Sequence, residues 1–104
     1  MMNQHCVSWD DVAEEISASG VAKRVIPGSH ASLVMVRVPA GTEAGRHSHS
    51  HEQFVQVVSG SGTLETEQGS HAFGPGSVFH FPSDTWHAAR FDGDTILIET
   101  NLAI

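Results

Sequence analysis

Hydrophobic residues recur at two different spacings along this chain, and the change falls near Gly20. Before it, Trp9, Val12, Ala13 and Ile16 lie at helical intervals behind Ser8 and Asp11, which have the form of a capping box. The spacing predicts one short helix over about residues 9–17, ended by Gly20. Beyond that point the period shortens to two. Val21 to Ile26 reads as extended, Pro27-Gly28 as a turn, and Leu33 to Val38 as a strand with Val34, Val36 and Val38 on one face. Further strands are predicted at Glu43–His49, Phe54–Val58, Thr63–Glu67, Ser70–Phe73, Ser77–Phe81, Trp86–Phe91 and Thr95–Thr100. The breaks between them are rich in Gly, Pro, Ser and Asp, among them Gly74-Pro75-Gly76 and Asp92-Gly93-Asp94. Strands this short at this spacing predict an all-β, two-sheet jelly roll with one short N-terminal helix.

Length and charge narrow the picture. A chain of 104 residues makes one domain spanning residues 1–104. A formal net charge of −7, with only Lys23, Arg24, Arg37, Arg46 and Arg90 as cations, leaves no basic stripe for a phosphate backbone, so no nucleic-acid partner is expected. No apolar segment approaches the ~18 residues that a membrane helix needs, so no membrane association is expected either. Cys6 has no second cysteine to pair with, and no signal-peptide pattern opens the chain; the expectation is a reduced, cytoplasmic protein. There is no tyrosine, so acid–base duties fall to His, Asp and Glu.

The chemistry concentrates in His47-Ser48-His49-Ser50-His51-Glu52-Gln53 and in His87, behind Pro82. On one strand His47 and His49 point the same way, and Gln53 has the same parity beyond a turn that would bring a neighbouring strand alongside. With His87 they form a candidate set of three imidazoles and one amide oxygen for a single ion, an imidazole-rich set suited to a divalent transition metal. His51 and His80 are the candidate catalytic side chains: His51 lies between ligands, and alternation puts His80 on the side of Val78, there either lining the cavity or buried and hydrogen-bonded. His5, His30 and His71 read as surface residues. Trp86 must face away from His87 and is expected to pack between the sheets or on the N-terminal helix. Phe91, Val55, Val57 and Ala89 are candidates for an apolar wall around the ion. Arg37, Arg46 and Arg90 are the cations suited by residue type to grip a carboxylate, but alternation turns each away from the site. Glu99 and Asp94 are possible bases without a geometry to test them.

Two spaced motifs in this stretch resemble those of the cupin superfamily. Gly41, five residues, His47-Ser48-His49, three residues, Gln53, six residues and Gly60 match the first (residues 41–60). Gly76, five residues, Pro82-Ser83-Asp84, two residues and His87 match the second (residues 76–91). The chain thus resembles the small, single-domain, RmlC-like members, and the resemblance implies a double-stranded β-helix, a jelly-roll barrel, with the metal held by His47, His49, Gln53 and His87. Three positions depart from the pattern: Gln53 replaces the usual glutamate, Asp84 a glycine and Phe91 an asparagine. Asp tolerates the left-handed backbone that glycine supplies. The His-His-Gln-His set and the Ser8–Asp11 segment also resemble the small cupins of bacterial uronate breakdown, which open rings of unsaturated sugar acids.

The function expected is that of a metal-dependent isomerase or lyase acting as Lewis acid on an oxygen-rich, anionic small molecule. An iron- or nickel-dependent dioxygenase and a non-catalytic ligand-binding module are the alternatives. Zinc, nickel, manganese and iron all suit these ligands. A homodimer is expected, with the Val21–Ile26 strand contributing. Gln53 determines the charge: three neutral imidazoles and an amide leave a divalent ion its full positive charge, where a glutamate would cancel part of it. Gln53→Glu is therefore expected to tighten metal and weaken anionic ligands, and unchanged affinities for both in calorimetry would refute the charge argument.

Overall fold

The computed structural model describes residues 5–102. Ten strands follow one turn of 3-10 helix at Trp9–Asp11: β1 (Glu14–Ile16), β2 (Ala22–Pro27), β3 (Ala31–Val38), β4 (Glu43–His47), β5 (Glu52–Ser59), β6 (Gly62–Thr66), β7 (Gly69–Phe73), β8 (Val78–Phe81), β9 (His87–Phe91) and β10 (Thr95–Leu102). They form two antiparallel sheets, of order β1-β2-β3-β10-β5-β8 and β4-β9-β6-β7. The fold is the all-β jelly roll expected. No strand pairing among the described residues joins the two sheets, so they face each other as an open sandwich and not as a hydrogen-bonded closed barrel.

The interior follows from alternation. Val34, Val36 and Val38 of β3, Val55 and Val57 of β5 and Leu97 of β10 face Leu64, Phe73 and Phe91 of the small sheet, with Phe79 and Phe81 of β8 completing the core. Phe73 meets both Phe79 and Phe91 edge to face, at ring-centre distances of 5.2 and 5.7 Å. Each such side chain contributes about 1.5–3 kcal/mol by leaving water.

The predicted N-terminal helix does not form. Ser8 accepts a hydrogen bond from the Asp10 backbone and supports a single turn, after which Val12 is already extended. Residues 14–16 pair instead with β2, Glu14 opposite Arg24 and Ile16 opposite Ala22. Gly20, at φ 89°, closes this hairpin and does not end a helix. Sheet pairing prevails because Glu14 gains partners there. Its carboxylate accepts hydrogen bonds from Arg37 Nε at 3.0 Å and Nη2 at 2.9 Å, and lies 3.5 Å from Arg24 Nε. The Arg37 hydrogen bond holds the Glu14 carboxyl below the usual carboxylate range, with the Arg37 and Arg24 charges adding to it.

Gly60 shows how tightly the sheets' connections are drawn. It sits at φ 102°, and a Cβ there would fall 2.5 Å from Thr95 Cα and 2.6 Å from the Asp94 carbonyl oxygen. Left-handed strain and backbone overlap each cost on the order of 1–3 kcal/mol. Gly60→Ala is expected to lose about 3 kcal/mol of stability in denaturant unfolding, and a loss below about 1 kcal/mol would show that the turn can relax.

Candidate metal centre

The histidines converge from different elements. In β4, Ala44 pairs with Ala89 but His47 pairs with His87, so β4 has one residue more than β9 over this interval. That β-bulge at Gly45-Arg46 shifts the alternation, and Ala44 and His47, three apart, both line the same cavity. The Gly45 carbonyl oxygen lies 2.7 Å from His47 Nδ1 and accepts its proton, which leaves Nε2 as the free lone pair.

His49 is not on the strand. It lies in the 48–51 connection, which crosses from the small sheet to the large one, so β4 and β5 belong to different sheets and are not neighbours joined by a tight turn. The second motif holds this connection in place: the Asp84 backbone N–H donates to the His49 carbonyl at 2.7 Å. Asp84 has φ 64°, the left-handed conformation expected where a glycine is usual.

His87 is 6% exposed and its ring lies flat on Phe81, with ring centres 3.8 Å apart and planes 4° from parallel. Burial, helped by the proximity of His47 and His49, pushes its pKa down to about 4. The Thr85 backbone opposes the shift, and the buried Nδ1 has no hydrogen-bond partner among the described residues. His49 is lowered too, by burial first and then by His47, His51 and Lys23. At neutral pH both rings are uncharged bases.

Ligand nitrogens of His47, His49 and His87 lie within 4.8 Å of one another. Three convergent imidazoles, two of them kept neutral by burial and one with an unpartnered buried nitrogen, fit a divalent transition metal. Gln53, 5% exposed, lines the same cavity from the large sheet.

This cavity, of about 160 Å³, runs between the sheets. Val55, Phe79, Phe81, Ala89, Phe91 and Leu97 form most of its wall, while His47, His87, Gln53, Glu99 and Lys23 supply polar groups. The apolar wall expected from Val55, Ala89 and Phe91 is therefore present, and Val57 belongs to the buried core. Glu99 was one of two possible bases in the sequence, and strand parity with Leu97 turns it inward. Burial raises its carboxyl pKa, against the opposing pull of Lys23, of an Asn101 hydrogen bond, and of His51 and His47. Lys23 and Asn101 gave no sequence signal. Lys23 faces the cavity because β2 pairs it with Val36, a register that one sequence does not reveal.

Other candidates lie elsewhere. His80 is on the solvent face of the large sheet, stacked on Phe54 and 2.6 Å from Glu52, apart from the three clustered histidines. Its strand buries Phe79 and Phe81 instead. His51 stays near the site: it stacks on His49, with ring centres 5.0 Å apart, and its Nε2 lies 3.2 Å from Asn101 Oδ1. Asp94 caps the Ala40 backbone N–H at 2.9 Å. Arg37 is held by Glu14, Arg90 lies 3.8 Å from Asp92, and Arg46 lies over Trp86 at 4.0 Å. Trp86 thus packs under an arginine and not between sheets, because the bulged β4 carries Arg46 to its outer side.

No curated protein matches the sequence. Solved structures share the fold at low identity. An RmlC-like cupin from Shewanella frigidimarina superposes with a TM-score of 0.89 at 21% identity, covering 98% of this chain and 93% of its own. KdgF from a Halomonas species gives 0.82 at 22%, covering 91% and 89%. A sugar phosphate isomerase of the cupin superfamily from Silicibacter pomeroyi gives 0.80 at 18%, covering 95% and 76%. The cupin domain model matches residues 34–100, a span that holds His47, His49, His87, Gln53 and Glu99 together, and the chain belongs to that family.

Proposed function

We propose that this protein binds one divalent transition metal through His47, His49, His87 and Gln53 and acts on a small, oxygen-rich, anionic molecule by isomerisation or elimination. The reading is carried by the convergence of three imidazoles at a cavity that also holds an inward carboxyl, Glu99, and a cation, Lys23. When bound, the ion supplies Lewis acidity toward a carbonyl or carboxylate oxygen.

The chain's own residues account for the rest. None of the four proposed ligands carries a negative charge, and Lys23 adds a positive one, so an anion is attracted into an otherwise acidic protein. Glu99, with its carboxyl pKa raised, is placed to take a proton from carbon or oxygen and return it. The Val55, Phe79, Phe81 and Leu97 wall excludes water and strengthens these electrostatics. At about 160 Å³ the cavity is well below the ~300–1,000 Å³ of sites for drug-sized ligands, which favours a compact sugar acid over a polycyclic dioxygenase substrate. Uronate ring opening, the chemistry of the small cupins that the sequence resembles, meets these constraints.

Protein expressed without a tag and supplied with mixed metals should retain close to one ion per chain. His87→Ala should weaken that binding by more than the roughly 10–100-fold typical of outer-shell changes. Substoichiometric metal in the parent, or parent-like affinity in His87→Ala, would refute the centre; turnover of unsaturated uronates, followed by ultraviolet absorbance, tests the chemistry.

Glu99 gives a second test with a definite sign. A carboxyl whose pKa is raised by folding contributes stability below its ordinary value of 4.5 and loses it as pH rises through the raised value. Metal-free Glu99→Gln should therefore melt higher than the parent at pH 7–8, with the gain vanishing below about pH 4.5, while turnover falls on the order of 10²–10⁴-fold. A lower melting temperature at pH 8, or unimpaired turnover, would remove Glu99 from the role.

A further inference from the structure

An amide side chain has two ends of nearly the same shape and opposite chemistry. The oxygen offers lone pairs, while the NH2 only donates, so a buried glutamine is useful to a cation only if its oxygen is turned the right way. At Gln53 the surrounding hydrogen bonds set that direction.

Asn101 of β10 lies directly opposite Gln53 of β5 in the strand register. Gln53 Nε2 donates to Asn101 Oδ1 at 2.7 Å, and His51 Nε2 donates to the same oxygen at 3.2 Å. Two residues along β10, on the same face, lies the Glu99 carboxyl, whose pKa burial raises and the Asn101 side chain pulls back down. The Asn101 oxygen is turned to Gln53, which leaves its NH2 as the end suited to the Glu99 side, where an ionised carboxylate can only accept. The Asn101 oxygen can also only accept, so it takes the Gln53 NH2 and leaves Gln53 Oε1 for the cavity. Each link fixes the next, and reversing any one of them sets acceptor against acceptor in a largely buried site.

We infer that Asn101 is a positioning residue that commits the carbonyl oxygen of Gln53 to the metal ion. This rests on the reading that Gln53, His47, His49 and His87 form the metal site. The same arrangement favours glutamine over glutamate at this position: a carboxylate at residue 53 would set its oxygens against Asn101 Oδ1, with no proton to share.

The test uses the full chain and Co²⁺ alone, with affinity measured by calorimetry and the ligand field by visible absorption. Asn101→Leu, similar in shape but without the acceptor, should weaken Co²⁺ by roughly 10-fold or more and alter the visible bands. Asn101→Asp combined with Glu99→Gln, so that no two carboxylates meet, keeps an acceptor toward Gln53 and should bind at least as tightly as Glu99→Gln alone, which separates a lost hydrogen bond from a damaged fold. In a Gln53→Ala background, Asn101→Leu should have no further effect, because the residue it orients is gone. Parent-like affinity and spectrum in Asn101→Leu, equal weakening by Asn101→Asp in the Glu99→Gln background and by Asn101→Leu in the parent, or an undiminished effect in the Gln53→Ala background would each overturn the inference while leaving the metal site intact. Failure of the parent itself to bind Co²⁺, or binding indifferent to His87→Ala, would instead overturn the underlying reading and this one with it.

Discussion

Strand β10 is hydrogen-bonded on both edges, to β3 over Thr95–Leu102 and to β5 over Ile96–Leu102. A strand paired on both sides has its alternation fixed, because a slip of one residue would turn every side chain over. Leu97, Glu99 and Asn101 must therefore face the interior in succession, from apolar to acidic to amide. The same pairing sets Asn101 opposite Gln53 and, through β3, brings β2 with Lys23 to the side of the cavity. The polar end of the sandwich thus depends on a register held by backbone hydrogen bonds well beyond the histidines.

Across the interior the small sheet answers with His87 and His47, opposite each other in neighbouring strands. Phe81 belongs to the large sheet yet lies flat on the His87 ring, so one aromatic contact joins the two layers at the metal centre. That contact helps to remove His87 from water, and burial is the main reason its proton is bound so weakly. A core residue and a ligand are here two halves of one packing arrangement.

Much of this was legible in the sequence. The strands were marked by Gly, Pro and Asp breaks, and the spacing of His47, His49 and His87 identified the cluster. What failed did so for physical reasons. Trp9, Val12, Ala13 and Ile16 mimic a helical stripe, but a three-residue edge strand has no period to betray it, and Glu14 finds its arginines only after β2 and β3 have assembled. Alternation put His80 on the side of Val78, but which face of β8 is buried depends on its partner strand, and it is the face of Phe79 and Phe81. Lys23 and Asn101 were invisible because each acquires its role from a residue on another strand. Glu99 stood among the possible bases without a direction to point in.

The bulge at Gly45-Arg46 separates the family's shape from its chemistry. The fold needs β4 to pair with β9, and a regular ladder would serve that purpose as well. The site needs the register shift, since in a regular ladder of the same residues Arg46 would stand opposite His87 and His47 would turn to the outer surface. Gly45 and Arg46 together fill one position of the ladder, so removing either would straighten β4 and still leave His47 opposite His87.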